Sequence, residues 1–198
     1  MRPLTMRVLR LARDQASAWL RAGRPLAVSV NLAAANLLDA RFPDEVAALL
    51  RGSDLPPELL RLEITEDTIM TDPVRVLDVL ARLSELGLSF SLDDFGTGYS
   101  SLAYLKRLPV QELKIDRSFV MQMDADPDDA AIVRSTVGLA RSLGLRVVAE
   151  GVESAAAWDA LAGFGCHLAQ GYLLARPLPA GELEAWLATR EPAVRAET

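Results

Sequence analysis

The sequence is poor in the residues that form disulfides and zinc sites. It contains one cysteine, Cys166, and one histidine, His167, among 198 residues. A single cysteine cannot form an intrachain disulfide, so we expect a reducing compartment, with the cytoplasm as the default location. Zinc is usually held by cysteine and histidine, so a zinc site of the usual kind is not expected. We interpret both residues as packing residues at the start of a strand.

Basic residues and long apolar runs are also scarce. The formal net charge is -6, which argues against a general nucleic-acid surface, since such a surface needs cations opposite the phosphates. A small anionic substrate stays compatible with this charge, because bound metal ions reverse the local field. No apolar run reaches the length of a membrane span, so no membrane segment is expected. Hydrophobic residues nevertheless make up 51% of the chain, enough to predict a folded core.

Short apolar or β-branched runs recur along the chain and alternate with helical patterns. Aspartate followed by proline predicts two helix starts, and glycine predicts where those helices end. The predicted strands are 26–32, 59–65, 88–93, 110–116, 145–150 and 166–173. The predicted helices include 4–22, 72–87, 126–144 and 154–163. In the first of them, one apolar side is predicted to comprise Leu4, Val8, Leu11, Ala12, Trp19 and Leu20.

This alternation predicts an α/β fold with parallel strands and crossover helices. Two architectures fit, an open doubly wound sheet and a closed (β/α) TIM-type barrel. A barrel needs eight strands, so six strands behind an initial helix predict an incomplete barrel with about two N-terminal units absent. We expect one domain over residues 1–190 and a flexible tail over residues 191–198.

Polar or ionisable residues stand near the end of every predicted strand. If the strands are parallel, these groups share the C-terminal face of the sheet, where barrel enzymes carry their sites. One such residue alone is better read as a solvated strand end or a structural ion pair. Six such residues at the ends of successive strands favour a functional site. They also favour the barrel over the open sheet, because an open sheet has its site at one topological switch point. The six are Asn31, Glu63, Asp93, Lys114, Glu150 and Gln170.

The chemistry of these residue types indicates a metal centre. Glu63, Asp93, Asp94 and Glu150 cannot all stay ionised in a small space without cations. Oxygen ligands suit Mg²⁺ or Mn²⁺, and adjacent aspartates can serve two ions for in-line attack on a phosphodiester. Lys114 beside them would hold or deprotonate a water or balance charge. A barrel-interior salt bridge is an equally good interpretation of Lys114 from sequence alone.

A glycine-containing segment, residues 93–101, runs from a strand into a helix that Ser100 or Ser101 can cap. Its glycines give the backbone freedom for a mobile or sharply folded lid. A phosphate-cradling loop is the rival interpretation, and it is weak because the spacing of a P-loop is absent.

These segments together resemble the successive signatures of EAL domains, in the same order and spacing. They are 29–32 (SVNL), 62–66 (LEITE), 93–101 (DDFGTGYSS), 112–116 (ELKID), 149–153 (AEGVE) and 169–172 (AQGY). The resemblance implies a (β/α) barrel, often dimeric, that hydrolyses cyclic di-GMP to linear pGpG with two Mg²⁺ or Mn²⁺ ions.

The resemblance also implies a role for each matching residue. Asp93 would bridge the two ions, Lys114 would orient or activate the attacking water, and Asp93 and Glu150 would complete the catalytic set. Asp116 and Gln170 would support the site. Glu66 and Glu153 would tether the loop that contains Gly96, Thr97 and Gly98 and that links the site to the dimer interface. The implied metal ligands are Asn31, Glu63, Asp93, Asp94 and Glu150.

One departure from the family pattern is large. The Glu-Ala-Leu signature, whose glutamate is a further metal ligand, does not occur before residue 29. We therefore expect this chain alone to turn over poorly or not at all, and to associate as a homodimer or through an exposed barrel edge. A parent protein with an upstream sensory or GGDEF domain is also expected. The alternative function is an inactive EAL-like cyclic di-GMP receptor or protein-interaction module.

Overall fold

The computed structural model describes residues 2–98 and 102–189. In that part of the chain, six parallel strands form one sheet whose order follows the sequence from β1 to β6. A doubly wound sheet would reverse its order at a switch point, so the incomplete barrel is confirmed. The strands are β1 (Val28–Asn31), β2 (Leu60–Thr65), β3 (Ser89–Phe95), β4 (Glu112–Ile115), β5 (Arg146–Glu150) and β6 (Leu168–Gln170).

Helices connect the strands, and the predicted caps hold. Asp72 accepts a hydrogen bond from Arg75 N at 3.1 Å, and Ser154 accepts one from Ala157 N at 2.9 Å. A 3₁₀ turn, Pro57–Leu59, precedes β2. The helices are α1 (Arg2–Arg21), α2 (Ala34–Leu37), α3 (Phe42–Leu50), α4 (Glu66–Thr71), α5 (Pro73–Glu85), α6 (Leu102–Leu105), α7 (Arg117–Gln122), α8 (Pro127–Ser142), α9 (Ala155–Phe164) and α10 (Ala180–Ala188). None of these helices is long and apolar enough to cross a membrane.

The two faces of the sheet differ in chemistry. Leu62, Ile64 and Leu113 are fully buried in the apolar core that the sheet forms with its helices. Because side chains alternate along a strand, their neighbours Glu63 and Lys114 face the opposite, concave side. The sequence pattern therefore separates an apolar layer under the helices from a polar interior that ends in the candidate site.

The predicted apolar side of α1 is correct for Ala12 and Trp19, which are buried, and wrong for Leu4, Val8 and Leu11. Leu4 and Leu11 are 64% and 59% exposed, whereas Leu9 and Ala16 are fully buried. The helix carries two apolar stripes, and the sheet packs against the one that contains alanines, since small side chains allow a closer approach. Trp19, on the buried stripe, donates from Nε1 to Glu184 Oε1 at 2.8 Å and so connects α1 to α10.

Each strand differs from its predicted bounds by at least one residue, and one side-chain environment also differs. The sixth strand ends at Gln170, because Gly171 begins a turn in which Leu173 N donates to Val152 O at 3.0 Å. The first and fourth strands are shorter than predicted as well, and the fourth ends before Asp116. His167 is exposed, and its Nδ1 accepts a hydrogen bond from Val147 N at 3.1 Å, so it is not a packed core residue.

Candidate active site

Side chains from β2, β3, β4 and β5 meet at the C-terminal end of the sheet. The Lys114 ammonium lies 3.0 Å from Glu63 Oε2, 3.0 Å from Asp93 Oδ1 and 2.7 Å from Glu150 Oε1. All of these side chains are largely buried, with exposures of 18% or less. Four of the six predicted strand-end residues therefore form one cluster around a single cation.

The other two strand-end residues flank this cluster. Asn31 pairs in register with Glu63, and Gln170 pairs in register with Glu150. Both side chains are exposed. They lie at the two outer strands of the described sheet, one on each side of the carboxylates.

The charge state of Lys114 follows from its surroundings. Burial opposes protonation, but the hydrogen bond to Glu150 and the charge of Glu63 outweigh it and raise the pKa of Lys114 above its ordinary value. Burial also raises the pKa of Glu150, an effect that the Lys114 charge opposes. In this metal-free arrangement, Lys114 is an ammonium that pairs with three carboxylates.

Asp94 reaches the cluster because the backbone of β3 is irregular. The pairing of β3 with β4 shifts between Leu92 and Phe95, and Asp94 has a φ of 54°, in the left-handed region. Consecutive residues of a regular strand point to opposite faces, so this bulge lets Asp93 and Asp94 serve one site. Burial, followed by the charge of Asp93 and a hydrogen bond with Asp116, raises the pKa of Asp94 from 3.8 to about 6.

Asp116 joins the cluster from the end of β4, where it caps α7. Its Oδ1 accepts a hydrogen bond from Ser118 N at 2.8 Å and another from the Ser118 hydroxyl. Burial opposes ionisation of Asp116, but these two hydrogen bonds lower its pKa below the ordinary value. The helix therefore fixes an ionised carboxylate next to Asp94.

Three carboxylates offer a cation site. Oxygens of Asp93, Asp94 and Glu150 lie within 4.8 Å of one another. Asp93 Oδ1 is buried and, within residues 2–98 and 102–189, accepts no well-oriented hydrogen bond, although the Lys114 ammonium is 3.0 Å away. Such an oxygen keeps capacity to bind a cation, and an all-oxygen ligand set suits Mg²⁺ or Mn²⁺. The residues present therefore fit a divalent metal ion.

The segment after β3 packs against Glu66. Glu66 is 4% exposed, and its Oε1 accepts a hydrogen bond from Gly96 N at 3.4 Å. A Cβ at position 98 would lie 2.7 Å from Glu66 Oε2, so only glycine leaves room for this contact. The Thr97 hydroxyl donates to Asp94 O at 2.9 Å and closes the turn. Glu66 thus lies where the predicted loop contact requires it.

Two other predictions about this loop stay predictions. Tyr99, Ser100 and Ser101 lie outside the described residues, and with them the predicted helix cap. Glu153 is exposed and lies on the wall of a neighbouring cavity.

That cavity opens beside Glu150 and Gln170 and has a volume of about 840 Å³. Its wall includes Tyr172 and Arg176, whose guanidinium carbon lies 4.6 Å from the centroid of the Tyr172 ring. The volume suits a small molecule, and the exposed cation suits an anionic one. Arg176 was not among the site residues predicted from the sequence.

A second group of polar residues on the concave face was also missed. Arg61 Nη1 lies 2.7 Å from Glu112 Oε1, and Arg146 Nη2 lies 3.4 Å from Glu112 Oε2. Both Arg61 and Glu112 stand two residues before a site residue, Glu63 and Lys114 respectively. The period of two that identified the site residues could therefore have placed this pair on the same face.

Comparisons with known proteins agree with this geometry. The chain is 48% identical over 182 residues to the bifunctional diguanylate cyclase/cyclic di-GMP phosphodiesterase MucR of Pseudomonas aeruginosa. This match covers 91% of the chain and 27% of MucR. It matches a solved PaMucR phosphodiesterase in complex with c-di-GMP with a TM-score of 0.87 and 47% identity, over 91% of this chain and 74% of that one. It also matches a calcium/cyclic di-GMP complex of Klebsiella pneumoniae BlrP1 with a TM-score of 0.80 and 30% identity, over 89% and 45%.

The chain spans about a quarter of the length of MucR. The family model for the EAL domain matches residues 1–177, which include every strand and every candidate site residue. This chain therefore belongs to the EAL domain family.

Proposed function

We propose that this chain supplies most of a cyclic di-GMP phosphodiesterase site, which hydrolyses one phosphodiester bond to give linear pGpG. The observation that carries the proposal is the meeting of Glu63, Asp93, Asp94 and Glu150 around Lys114 at the C-terminal end of a parallel sheet. MucR, at 48% identity, has this activity in its name, and the PaMucR phosphodiesterase was solved with c-di-GMP.

In this proposal, the carboxylates would hold Mg²⁺ or Mn²⁺, with Asp93 and the carbonyl oxygen of Asn31 in the ligand set. Such ions, when bound, lower the pKa of a coordinated water and neutralise charge on the phosphodiester. Glu63, Asp94 and Glu150 complete the ligand set. Glu66 and Glu153 tether the loop of Gly96, Thr97 and Gly98 over the site.

Lys114 is assigned an orienting role in this proposal. Its three N–H donors face three carboxylates, so it balances their negative charge, and it would donate to the attacking water once a bound ion takes one of those carboxylates. Asp116 and Gln170 support the site from the two neighbouring strand ends.

The proposal extends to the setting of the domain. Residues 1–190 would act as one unit, and the predicted tail, 191–198, lies outside the described residues. The chain spans 27% of MucR, which motivates a parent protein with a sensory or GGDEF domain. A homodimer, or association through the open sheet edge, and a cytoplasmic location complete the proposal.

Calorimetric titration with Mn²⁺ tests the metal ligands. We expect the double variant Asp93→Asn/Asp94→Asn to lose Mn²⁺ binding, because two carboxylates of the candidate site become neutral amides. Asp159→Asn, at an exposed position of α9, is the matched control and should bind as the unchanged chain does. Unaltered binding by the double variant would remove the metal assignment.

Hydrolysis tests the activity, and two forms should be compared. One is the 198-residue chain, and the other is a chimera in which this chain replaces the matching segment of the PaMucR phosphodiesterase. We expect pGpG from the chimera, little or none from the chain alone, and none from the chimera with Asp93→Asn. Binding of cyclic di-GMP by the chimera without hydrolysis would support the alternative, a receptor or interaction module.

A further inference from the structure

Two buried ion pairs bridge β2 and β4 over the intervening strand β3. Arg61 Nη1 lies 2.7 and 2.8 Å from the two carboxylate oxygens of Glu112, and the Lys114 ammonium lies 3.0 Å from Glu63 Oε2. The exposed fractions of these side chains are 15% for Arg61, 2% for Glu112, 7% for Lys114 and 10% for Glu63. Both pairs are thus removed from water. In a buried environment, charge interactions are strong and an unpaired charge is costly.

The strand register shows that the two pairs run in opposite directions. Glu63, Ser91 and Glu112 lie in one row across the sheet. Arg61 stands two residues before Glu63, and Lys114 stands two residues after Glu112. Each glutamate in the row therefore pairs with a cation from the other strand. Arg61 reaches Glu112 from the N-terminal side of the row, and Lys114 reaches Glu63 from the C-terminal side.

Ser91 makes this arrangement possible. It is fully buried between the two glutamates, and its hydroxyl lies 3.3 Å from Glu112 Oε1. Both bridging pairs pass over β3 near this position, so a larger side chain there would compete with them for space.

The same four residues have an alternative pairing within each strand. Lys114 and Glu112 are two residues apart on one face of β4, within reach of a flexible lysine side chain. Arg61 opposes that contact, because its Nη1 lies within 2.8 Å of both oxygens of Glu112 and neutralises their charge. Without Arg61, Glu112 would keep the Ser91 hydroxyl and, among the described cations, Arg146, which lies 3.4 Å away and has a half-exposed side chain.

We propose that Arg61 is a positioning residue: by neutralising Glu112 across β3, it keeps the Lys114 ammonium among Glu63, Asp93 and Glu150. The effect of Arg61 on catalysis rests on the proposed function, in which Lys114 orients the attacking water. The arrangement itself belongs to the fold and can be measured without substrate or metal, so the failure of one claim leaves the other standing.

The two lysines of the chain, Lys106 and Lys114, make the test direct. Nuclear magnetic resonance of the full chain labelled with ¹⁵N-lysine gives one ammonium signal from each, and exposed Lys106 is the internal reference. We expect Arg61→Met to move the Lys114 nitrogen resonance and leave that of Lys106 in place. Arg82→Met, which removes an arginine from a pair with the exposed Asp44, is the matched control and should move neither.

The double variant distinguishes positioning from a general structural role. Arg61→Met/Glu112→Gln has no unpaired carboxylate to attract Lys114, so we expect its Lys114 resonance at the position of the unchanged chain. A folded Arg61→Met variant with an unmoved Lys114 resonance overturns the proposal. If Arg61→Met does not fold, a displaced Lys114 resonance in the folded double variant overturns it instead.

Discussion

At the scale of single residues, the backbone at Asp94 controls how many carboxylates the site contains. Its φ of 54° and the shift in pairing after Leu92 turn two consecutive aspartates towards one cluster. Left-handed backbone is unfavourable for most side chains, and asparagine and aspartate tolerate it best. The identity of residue 94 thus serves both the conformation of the chain and the ligand set.

Two substitutions at this position separate the two effects. Asp94→Asn and Asp94→Val remove the same charge, but only valine is β-branched and resists the left-handed conformation. We expect Asp94→Val to lower the free energy of unfolding by about 1–2 kcal/mol more than Asp94→Asn does. Urea unfolding of the metal-free chain measures the difference, and equal stability of the two variants would contradict the assigned conformation.

Period-two alternation identified Glu63, Asp93 and Lys114 from the sequence, because regular strands obey it. It could not show how Asp94 joins them, since a bulge is not visible in the pattern of side chains. Nor could it determine that Lys114 touches three carboxylates at once, because those contacts depend on strand order and on the curvature of the sheet.

At the scale of elements, local chemistry predicted some helices and missed others. Asp72 and Ser154 cap α5 and α9 as expected, because capping is a local interaction. The four-residue helix α2 has no such signal, and the structure shows no side-chain cap for it. The buried side of α1 was partly wrong because two apolar stripes compete, and only packing against the sheet decides between them.

Two glycines show how context determines the effect of the same substitution. Gly138 is exposed within α8, and a Cβ there meets nothing within 4 Å. A Cβ at Gly171 would collide with Val152 O, a backbone atom that cannot move aside.

We expect Gly138→Ala to raise the free energy of unfolding by about 0.5–1 kcal/mol, because alanine is the better helix former. Gly171→Ala should lower it instead, because the β5 and β6 ends must separate. Thermal unfolding of both variants beside the unchanged chain measures the signs, and a neutral Gly171→Ala would show that the turn can relax.

At the scale of the whole molecule, the described sheet is open. β1 and β6 each pair with one described strand only. Near the edge of β6, Leu168 is 46% exposed and Trp158 is 42% exposed. Unpaired strand edges with apolar side chains favour association between chains. The same feature that identifies an incomplete barrel therefore predicts how the isolated chain behaves in solution.

A lysine at this edge tests that behaviour. We expect the 198-residue chain to associate increasingly with concentration in sedimentation velocity, and Leu168→Lys to reduce the association, since a charge at a strand edge opposes pairing. Val74→Lys is the control: Val74 is 82% exposed on α5, away from the edge, and its replacement should leave the association unchanged. Equal effects of the two substitutions would mean that net charge, and not the β6 edge, governs association. A chain that stays monomeric at all concentrations would mean that the open edges are protected in solution by a contact the sheet topology does not predict.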